Sequence, residues 1–229
     1  MESSISEFKP RSTRPTGIYG QSIPVIEDYF VNPTGFSARE SGLIVPDRMK
    51  NDSFSLLISG EVDGAMFDGL TKSLMTLEDY GVKFETLNIE LASYGGDAYL
   101  GFAVFDILSR YKKEKKISLN ITSYGPVMSM GALILQVGDV RRMSTNAVML
   151  IHPISGMMEG NKDEMKAEAV QMDRLDEVYK GIFVERAKTC GVDSTTNQVM
   201  HELTNAHNSA GTYLSAQEAK KYGFVDEII

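Results

Sequence analysis

Residues 86–111, TLNIELASYGGDAYLGFAVFDILSRY, change from an alternating apolar pattern to helical spacing across a pair of glycines. The segment TLNIELA places apolar side chains at every second position, which predicts a strand. Beyond Gly95 and Gly96, apolar residues recur every three or four positions, which predicts an amphipathic helix. Paired glycines allow positive φ and close approach by another part of the chain. The turn is therefore either an ordinary connection or a place where backbone N–H groups meet an anion or a developing oxyanion.

The same succession of strand and helix continues on both sides of this unit. Strands are predicted at residues 54–58, 117–122 and 147–151, and helices at residues 63–80, 127–137 and 161–189. A short helix and a final strand close the chain within residues 214–229. Regular alternation of strands and helices predicts an α/β fold with right-handed crossover connections.

The chain has 229 residues, a length that suits one α/β domain or two very small ones. Residues 1–52 are rich in serine, proline, glycine and threonine and show no sustained apolar period. We predict that they form a partly extended arm, either a partly disordered tail or a segment that contacts another subunit. Residues 53–229 hold the alternating strand and helix patterns and are predicted to form the folded domain.

Charge and composition exclude several classes of protein. The 31 Asp and Glu outnumber the 23 Lys and Arg, and a formal net charge of −8 argues against nucleic-acid binding through a basic face. No apolar run reaches the roughly 18–20 residues of a membrane span, and the N-terminus lacks the apolar stretch of a secretory signal, so we expect a cytoplasmic protein without a membrane association. With one cysteine and three histidines, we expect no intramolecular disulfide, no metal site and no cofactor.

A serine lies at the junction of a predicted strand and helix in residues 124–132, YGPVMSMGA. Ser129 at this position has two interpretations. It is either the N-cap of the helix, whose hydroxyl accepts a backbone N–H, or a nucleophile that gains from the positive end of the helix dipole. The strand–turn–helix context resembles a nucleophile elbow, although the sequence is not G-x-S-x-G.

A histidine closes the next predicted strand, in Ile151-His152-Pro153. On its own, His152 is either a structural histidine or a general base. The chain thus offers possible oxyanion donors, a serine and a histidine in that order, each at the end of a strand. Their joint placement favours an acyl-transfer site over three unrelated structural features.

Five segments in the right order resemble the Clp protease proteolytic subunit (ClpP) family. The similarity extends over residues 53–229, and the matching segments are Ser93–Gly96, Gly101–Asp106, Met128–Ala132, Leu150–Pro153 and Leu214–Asp226. Two of them depart from the family pattern. Tyr94 stands where a proline is usual, and the segment around His152 is one residue shorter.

The resemblance implies a ClpP/crotonase-type fold, with stacked βαβ units and a projecting strand-and-helix handle. By position, Ser129 matches the family's nucleophile and His152 its general base, while the backbone N–H groups of Gly96 and Met130 match its oxyanion hole. The family also implies a homo-oligomer of heptameric rings stacked in pairs, fed by an AAA+ unfoldase and cleaving unfolded polypeptides. The helix at 161–189 resembles the family's handle helix, whose apolar side a partner subunit would cover.

The third member of the family's triad is missing from this sequence, because Gly211 occupies the position of the aspartate. We expect an amide oxygen of Asn205 or Asn208 to accept the His152 N–H instead. The alternative is a catalytically impaired or inactive subunit with a structural role. A crotonase-type acyl-CoA enzyme is a further alternative, which the presence of both Ser129 and His152 disfavours.

Overall fold

The structure, a computed structural model, describes residues 53–79, 83–156 and 159–229. The predicted arm, residues 1–52, lies outside the described residues. The strands are β1 (Ser53–Val62), β2 (Thr86–Gly96), β3 (Ser118–Ser123), β4 (Pro126–Met128), β5 (Val140–Met143), β6 (Val148–Ile151), β7 (Thr212–Ser215) and β8 (Glu227–Ile228). The helices of six or more residues are α1 (Gly64–Asp79), α2 (Ala98–Lys115), α3 (Met130–Leu135), α4 (Lys162–Thr189), α5 (Asn197–Thr204) and α6 (Ala216–Lys221).

The described strands form one eight-stranded sheet in the order β7-β6-β4-β2-β3-β5-β8, with β1 added at β2. All neighbours are parallel except β6 and β7. β1 pairs along the whole of β2, so β3 and β4 share the other edge of β2, with β4 joined at Ser93. This architecture confirms the α/β prediction, and the functional segments lie where several parallel strands end together.

The predicted helix at residues 127–137 begins later than expected. Val127 pairs with Ser93 in the sheet, so residues 126–128 form the short strand β4 and the helix α3 starts at Met130. Every residue of α3 is buried. A short helix that is apolar on all sides is held in place by the core around it, which gives Ser129 a rigid support.

The long helix α4 has two halves with different surroundings. It begins with a capping box in which Asn161 and Glu164 satisfy each other's backbone N–H groups. Its first half is largely exposed, whereas Tyr179, Phe183 and Ala187 of the second half are buried in the domain. In the part of the chain that the structure describes, none of the helices is both long and apolar enough to cross a membrane.

Candidate active site

Ser129 lies in a strained turn between β4 and α3. Its φ of 53° and ψ of −122° fall in a region that non-glycine residues rarely adopt, at a cost of about 1–3 kcal/mol. The Ser129 N–H donates to the Leu150 carbonyl at 2.8 Å, which fixes the turn against β6. Its hydroxyl caps none of the first N–H groups of α3, so the capping interpretation does not apply. A strained serine between a strand and a helix is the arrangement of a nucleophile elbow.

The glycine turn at the end of β2 packs directly on the Ser129 side chain. A β-carbon placed on Gly95 would lie 2.5 Å from the Ser129 Cβ and 3.1 Å from its Oγ, and Gly95 has a φ of +94°. Both the close approach and the positive φ therefore require glycine here. The hydroxyl of Ser93 accepts the Gly95 N–H at 3.1 Å and donates to the Gly60 carbonyl at 2.6 Å. The structure thus brings the predicted oxyanion turn and the predicted nucleophile together.

His152 follows β6, the strand that pairs with β4 just before Ser129. Its Nδ1 lies 2.7 Å from the carbonyl oxygen of Pro153. Because a carbonyl can only accept a hydrogen bond, Nδ1 is assigned the proton and Nε2 is left as the acceptor nitrogen. The side chains of Ser129 and His152 make no hydrogen bond to each other in this structure, although they lie on neighbouring strand ends. Such contacts are often long before substrate binds.

Gly211 lies beside His152, where the resemblance places the triad aspartate. A β-carbon on Gly211 would be 2.5 Å from the His152 Cβ and 2.2 Å from the Ile151 carbonyl oxygen. The φ of Gly211 is also +86°. The position therefore has room only for glycine, and replacing Gly211 with aspartate cannot restore the triad without moving the backbone.

The structure does not bring the two predicted asparagines to His152. Asn205 follows α5, and its amide nitrogen contacts the carbonyl oxygen of His201 at 3.0 Å, which ties the side chain back to the last turn of that helix. Asn208 is exposed in a left-handed turn, with a φ of 59°. The acceptor next to His152 is instead the Pro153 carbonyl, which was not among the residues expected from the sequence.

The second half of α4 contacts the segments that hold both Ser129 and His152. The Tyr179 hydroxyl lies 3.4 Å from the Ser129 carbonyl oxygen. Burial raises the pKa of Tyr179, so this phenol is a neutral donor at physiological pH. One turn earlier, the Asp176 carboxylate accepts the backbone N–H of Ile154 at 3.0 Å. The sequence analysis missed both contacts, since each joins a side chain to backbone far away in the chain.

Among the residues that the structure describes, no group of three or more His, Cys, Asp and Glu side chains is arranged to hold a metal ion. The arrangement at the strand ends has the parts of covalent acyl transfer instead. It combines a strained serine, a histidine with a free ring nitrogen, and a glycine turn in contact with the serine.

Comparison with known sequences agrees with this geometry. A sequence model of the family described as Clp protease matches residues 45–229. A protein named ATP-dependent Clp protease proteolytic subunit, from Deinococcus radiodurans, is similar to this chain, with 24% identity over 203 residues. The alignment covers 88% of this chain and 91% of that protein. Because the family match spans the whole described sheet together with Ser129, His152 and Gly211, the chain belongs to the Clp protease family.

Proposed function

We propose that this protein is a serine peptidase subunit that hydrolyses peptide bonds in unfolded polypeptides. The observation that best supports this function is the strained turn at Ser129, whose hydroxyl caps no helix N–H and lies against the Gly95 turn. Membership of the Clp protease family makes peptide hydrolysis the expected reaction class. We assign Ser129 as the nucleophile and His152 as the general base.

The reaction follows from the orientation of the His152 ring. With Nδ1 bonded to the Pro153 carbonyl, Nε2 is free to take the Ser129 proton as Oγ attacks the scissile carbonyl carbon. The attack forms a C–O bond and moves the carbonyl π electrons to oxygen. Collapse of this tetrahedral species breaks the C–N bond, with the proton passing from Nε2 to the leaving amine. Water then repeats the sequence to release the acyl group and restore Ser129.

Two backbone N–H groups are assigned to stabilise the oxyanion. The Met130 N–H belongs to the first turn of α3, where no intrahelical carbonyl is available to it. On the other side, the Asp97 N–H donates to the Val62 carbonyl at 2.8 Å and so faces β1. Because successive N–H groups of a strand point to opposite edges, we expect the Gly96 N–H to face the β4 edge, towards Ser129.

The substrate is expected to lie along the segment that follows His152. Ser155 and Gly156 are exposed, and neither pairs with a strand among the residues described. An extended polypeptide can add to such a segment through backbone hydrogen bonds, which bind many sequences with little selectivity. This mode suits a peptidase for unfolded chains.

We further propose that the active form is a stack of two heptameric rings that receives polypeptide from an AAA+ unfoldase. The first half of α4 exposes Met165 and Val170, and the second half exposes Val178; these side chains are 40%, 69% and 47% accessible. Apolar side chains along an exposed helix favour burial against a partner. The sequence predicts an apolar side of this helix formed by Met165, Ala169, Met172, Leu175 and Val178. Of these, Met172 packs within its own chain, since its Cε lies 2.5 Å from a β-carbon placed on Gly156. The cytoplasmic location stays a prediction.

A catalytically impaired subunit is the second candidate function. It is favoured by the closed space at Gly211 and by the absence of a hydrogen bond between the described side chains of Ser129 and His152. The acyl-CoA enzyme alternative has lost its support, because the chain belongs to the Clp protease family.

Comparing peptide hydrolysis by the unsubstituted protein and by Ser129→Ala distinguishes a serine peptidase from a catalytically impaired subunit. We expect the unsubstituted protein to cleave a fluorogenic peptide and an unfolded polypeptide, and Ser129→Ala to lose this activity while keeping the same mass in solution. The serine mechanism would be wrong if the variant cleaved both substrates at the unsubstituted rate. If neither protein cleaved either substrate, the impaired-subunit function would replace it.

A further inference from the structure

The peptide group between Pro153 and Ile154 is hydrogen-bonded at both ends. Its carbonyl oxygen lies 2.7 Å from the His152 Nδ1, and its N–H donates to the Asp176 Oδ1 at 3.0 Å. The N–H and C=O of one peptide unit share a plane and a conjugated system. A carboxylate at the N–H therefore draws the proton towards itself and increases the negative charge on the carbonyl oxygen that faces His152.

The Asp176 carboxylate is held in this position by a lysine one turn along α4. The Lys180 Nζ lies 2.6 Å from the Asp176 Oδ2, so each carboxylate oxygen has its own partner. The Lys180 side chain is only 6% exposed, and Glu177 is a second acid partner at 3.2 Å. Burial lowers the pKa of Lys180, but its hydrogen bonds to Asp176 and Glu177 raise it, with a net rise, so the lysine stays charged.

We propose that Asp176 is a positioning residue for His152, which it orients through the Pro153–Ile154 peptide. This inference rests on the proposed function, in which His152 is the general base. The Asp176 carboxylate takes the place of the triad aspartate, but it acts through a peptide group and not by direct contact with His152. There is no space for an aspartate side chain at Gly211. Asp176 does not touch the reacting atoms.

The hydrogen bonds that join Asp176 to His152 through the Pro153–Ile154 peptide have two effects on the reaction. The chain of bonds keeps the proton of the neutral imidazole on Nδ1, so that Nε2 is the nitrogen available to accept the Ser129 proton. It also stabilises the imidazolium that forms when His152 takes the Ser129 proton, because polarised hydrogen bonds in a chain strengthen one another by roughly 10–30% per bond. The stabilisation is smaller than that of a carboxylate in direct contact, since the charge lies one peptide group further away.

Other charged groups lie around the same peptide. A cavity of about 310 Å³ is bounded by Pro153, Ile154 and Asp176 and also by Asp173 and Glu177 of α4 and His201 of α5. His201 thus places a second imidazole near this peptide. Any test that uses pH must therefore separate His152 from His201.

The test measures how fast a fluorophosphonate probe reacts with Ser129 between pH 5 and pH 9, with intact mass spectrometry as the readout. We expect Asp176→Asn to react roughly tenfold more slowly or worse on the alkaline plateau. Since the relayed negative charge favours the protonated imidazole, its loss also moves the midpoint of the acid limb to lower pH. Asp173→Asn, from the same helix and the same cavity wall, should keep the rate and midpoint of the unsubstituted protein.

Two more variants make the outcome decisive. The single variant Asp176→Asn leaves the buried Lys180 charge without its main partner. The double variant Asp176→Asn with Lys180→Met removes that charge as well. We expect the acid limb of its labelling rate to have the same lower midpoint. His201→Gln should leave the midpoint in place. The inference is overturned if both Asp176 variants react like the unsubstituted protein, or if they slow the reaction equally at every pH with no change in midpoint. An unsubstituted protein that never reacts at Ser129 would instead overturn the proposed function, and this inference with it.

Discussion

Ser129 depends on neighbours that hold its backbone in an unfavourable conformation. Its φ of 53° persists because its N–H is bonded to the Leu150 carbonyl and because the fully buried helix α3 follows it. The Gly95 turn packs on the other side of the residue. In the proposed mechanism, the Ser129 hydroxyl is consequently positioned before substrate binds, which lowers the free-energy cost of reaching the reactive geometry.

Gly95→Ala tests this packing. The added methyl group would lie 2.5 Å from the Ser129 Cβ and would occupy a residue with a φ of +94°, so we expect both a displaced serine and a less stable protein. The predicted results are a fall of about tenfold or more in the rate of fluorophosphonate labelling and a loss of about 1–3 kcal/mol in the free energy of unfolding.

Gly125→Ala is the matched control for that substitution. Gly125 lies just before β4, and a β-carbon there meets nothing within 4 Å. Its labelling rate and unfolding free energy should stay close to those of the unsubstituted protein. If Gly95→Ala and Gly125→Ala had the same labelling rate and the same free energy of unfolding, Gly95 would not position Ser129.

Individual site residues differed in how far the sequence predicted them. His152 and the glycine turn were proposed because each ends a recognisable strand, and Ser129 because it lies at the start of an apolar segment after a predicted strand. The structure packs the glycine turn on Ser129. Asp176 was not found, because its partner is the backbone N–H of Ile154, and backbone contacts leave no pattern in the order of side chains. The asparagines near Gly211 were expected at His152 from their position in the chain, but Asn205 is bound to the end of α5.

At the scale of elements, α4 extends from a largely exposed first half to the candidate active site. Tyr179 contacts the carbonyl of Ser129, and Asp176 contacts the N–H of Ile154, so residues three apart on one helix face touch both functional segments. The exposed first half of the same helix is the part that we expect to meet a partner subunit. In the proposed assembly, one rigid element would therefore link the subunit contact to the geometry of the site.

The pairing of β5 with β8 depends on a buried ion pair. The Arg141 side chain is 0% exposed, and its guanidinium lies 2.7 Å from Asp226. Burial raises the pKa of Asp226 and the hydrogen bonds from Arg141 lower it, with a net fall to about 2. Since this is below the value of about 4 in an unfolded chain, the carboxylate adds about 2 kcal/mol of stability above pH 4, which is lost as the pH falls towards 2.

Asp226→Asn should therefore unfold more easily at neutral pH, because it leaves a buried guanidinium without its anion. We expect a loss of about 3–5 kcal/mol in the free energy of unfolding at pH 7, narrowing as the pH approaches 2. Glu227→Gln, which breaks the neighbouring and more exposed pair with Arg142, should lose about 1 kcal/mol or less. Urea unfolding at pH 7 and pH 3 measures the free energy of unfolding of each variant. If Asp226→Asn and Glu227→Gln lost the same free energy at pH 7, the role assigned to the buried pair would be contradicted.

The elements that the sequence analysis missed are short and depend on distant partners. β2, α2 and α4 are long enough for their apolar periods to be recognised. β5, Val140–Met143, was missed because the buried Arg141 interrupts the apolar alternation of the strand. A buried arginine is stable there because it pairs with Asp226, which lies far away in the sequence. β4 has three residues, too few for any period, and it was taken as the start of the following helix.

At the scale of the whole molecule, the expected assembly follows from the exposed apolar side chains of α4. Val170 is 69% exposed on a helix whose second half is packed in the domain. We predict a large homo-oligomer by light scattering at micromolar concentration, and a smaller mass for Val170→Glu, because a partner would have to bury the new charge. Val170→Ile keeps the apolar surface and should keep the mass. A monomer for the unsubstituted protein would rule out this assembly.

The most direct test of the serine mechanism is to map the residue that a fluorophosphonate probe modifies. Digestion and mass spectrometry of the labelled protein should place one phosphonyl group on Ser129, with no label on Ser129→Ala and a strongly reduced rate on His152→Ala. An adduct on another residue, or a rate for His152→Ala equal to that of the unsubstituted protein, would contradict the assignment of Ser129 as the nucleophile and His152 as its base.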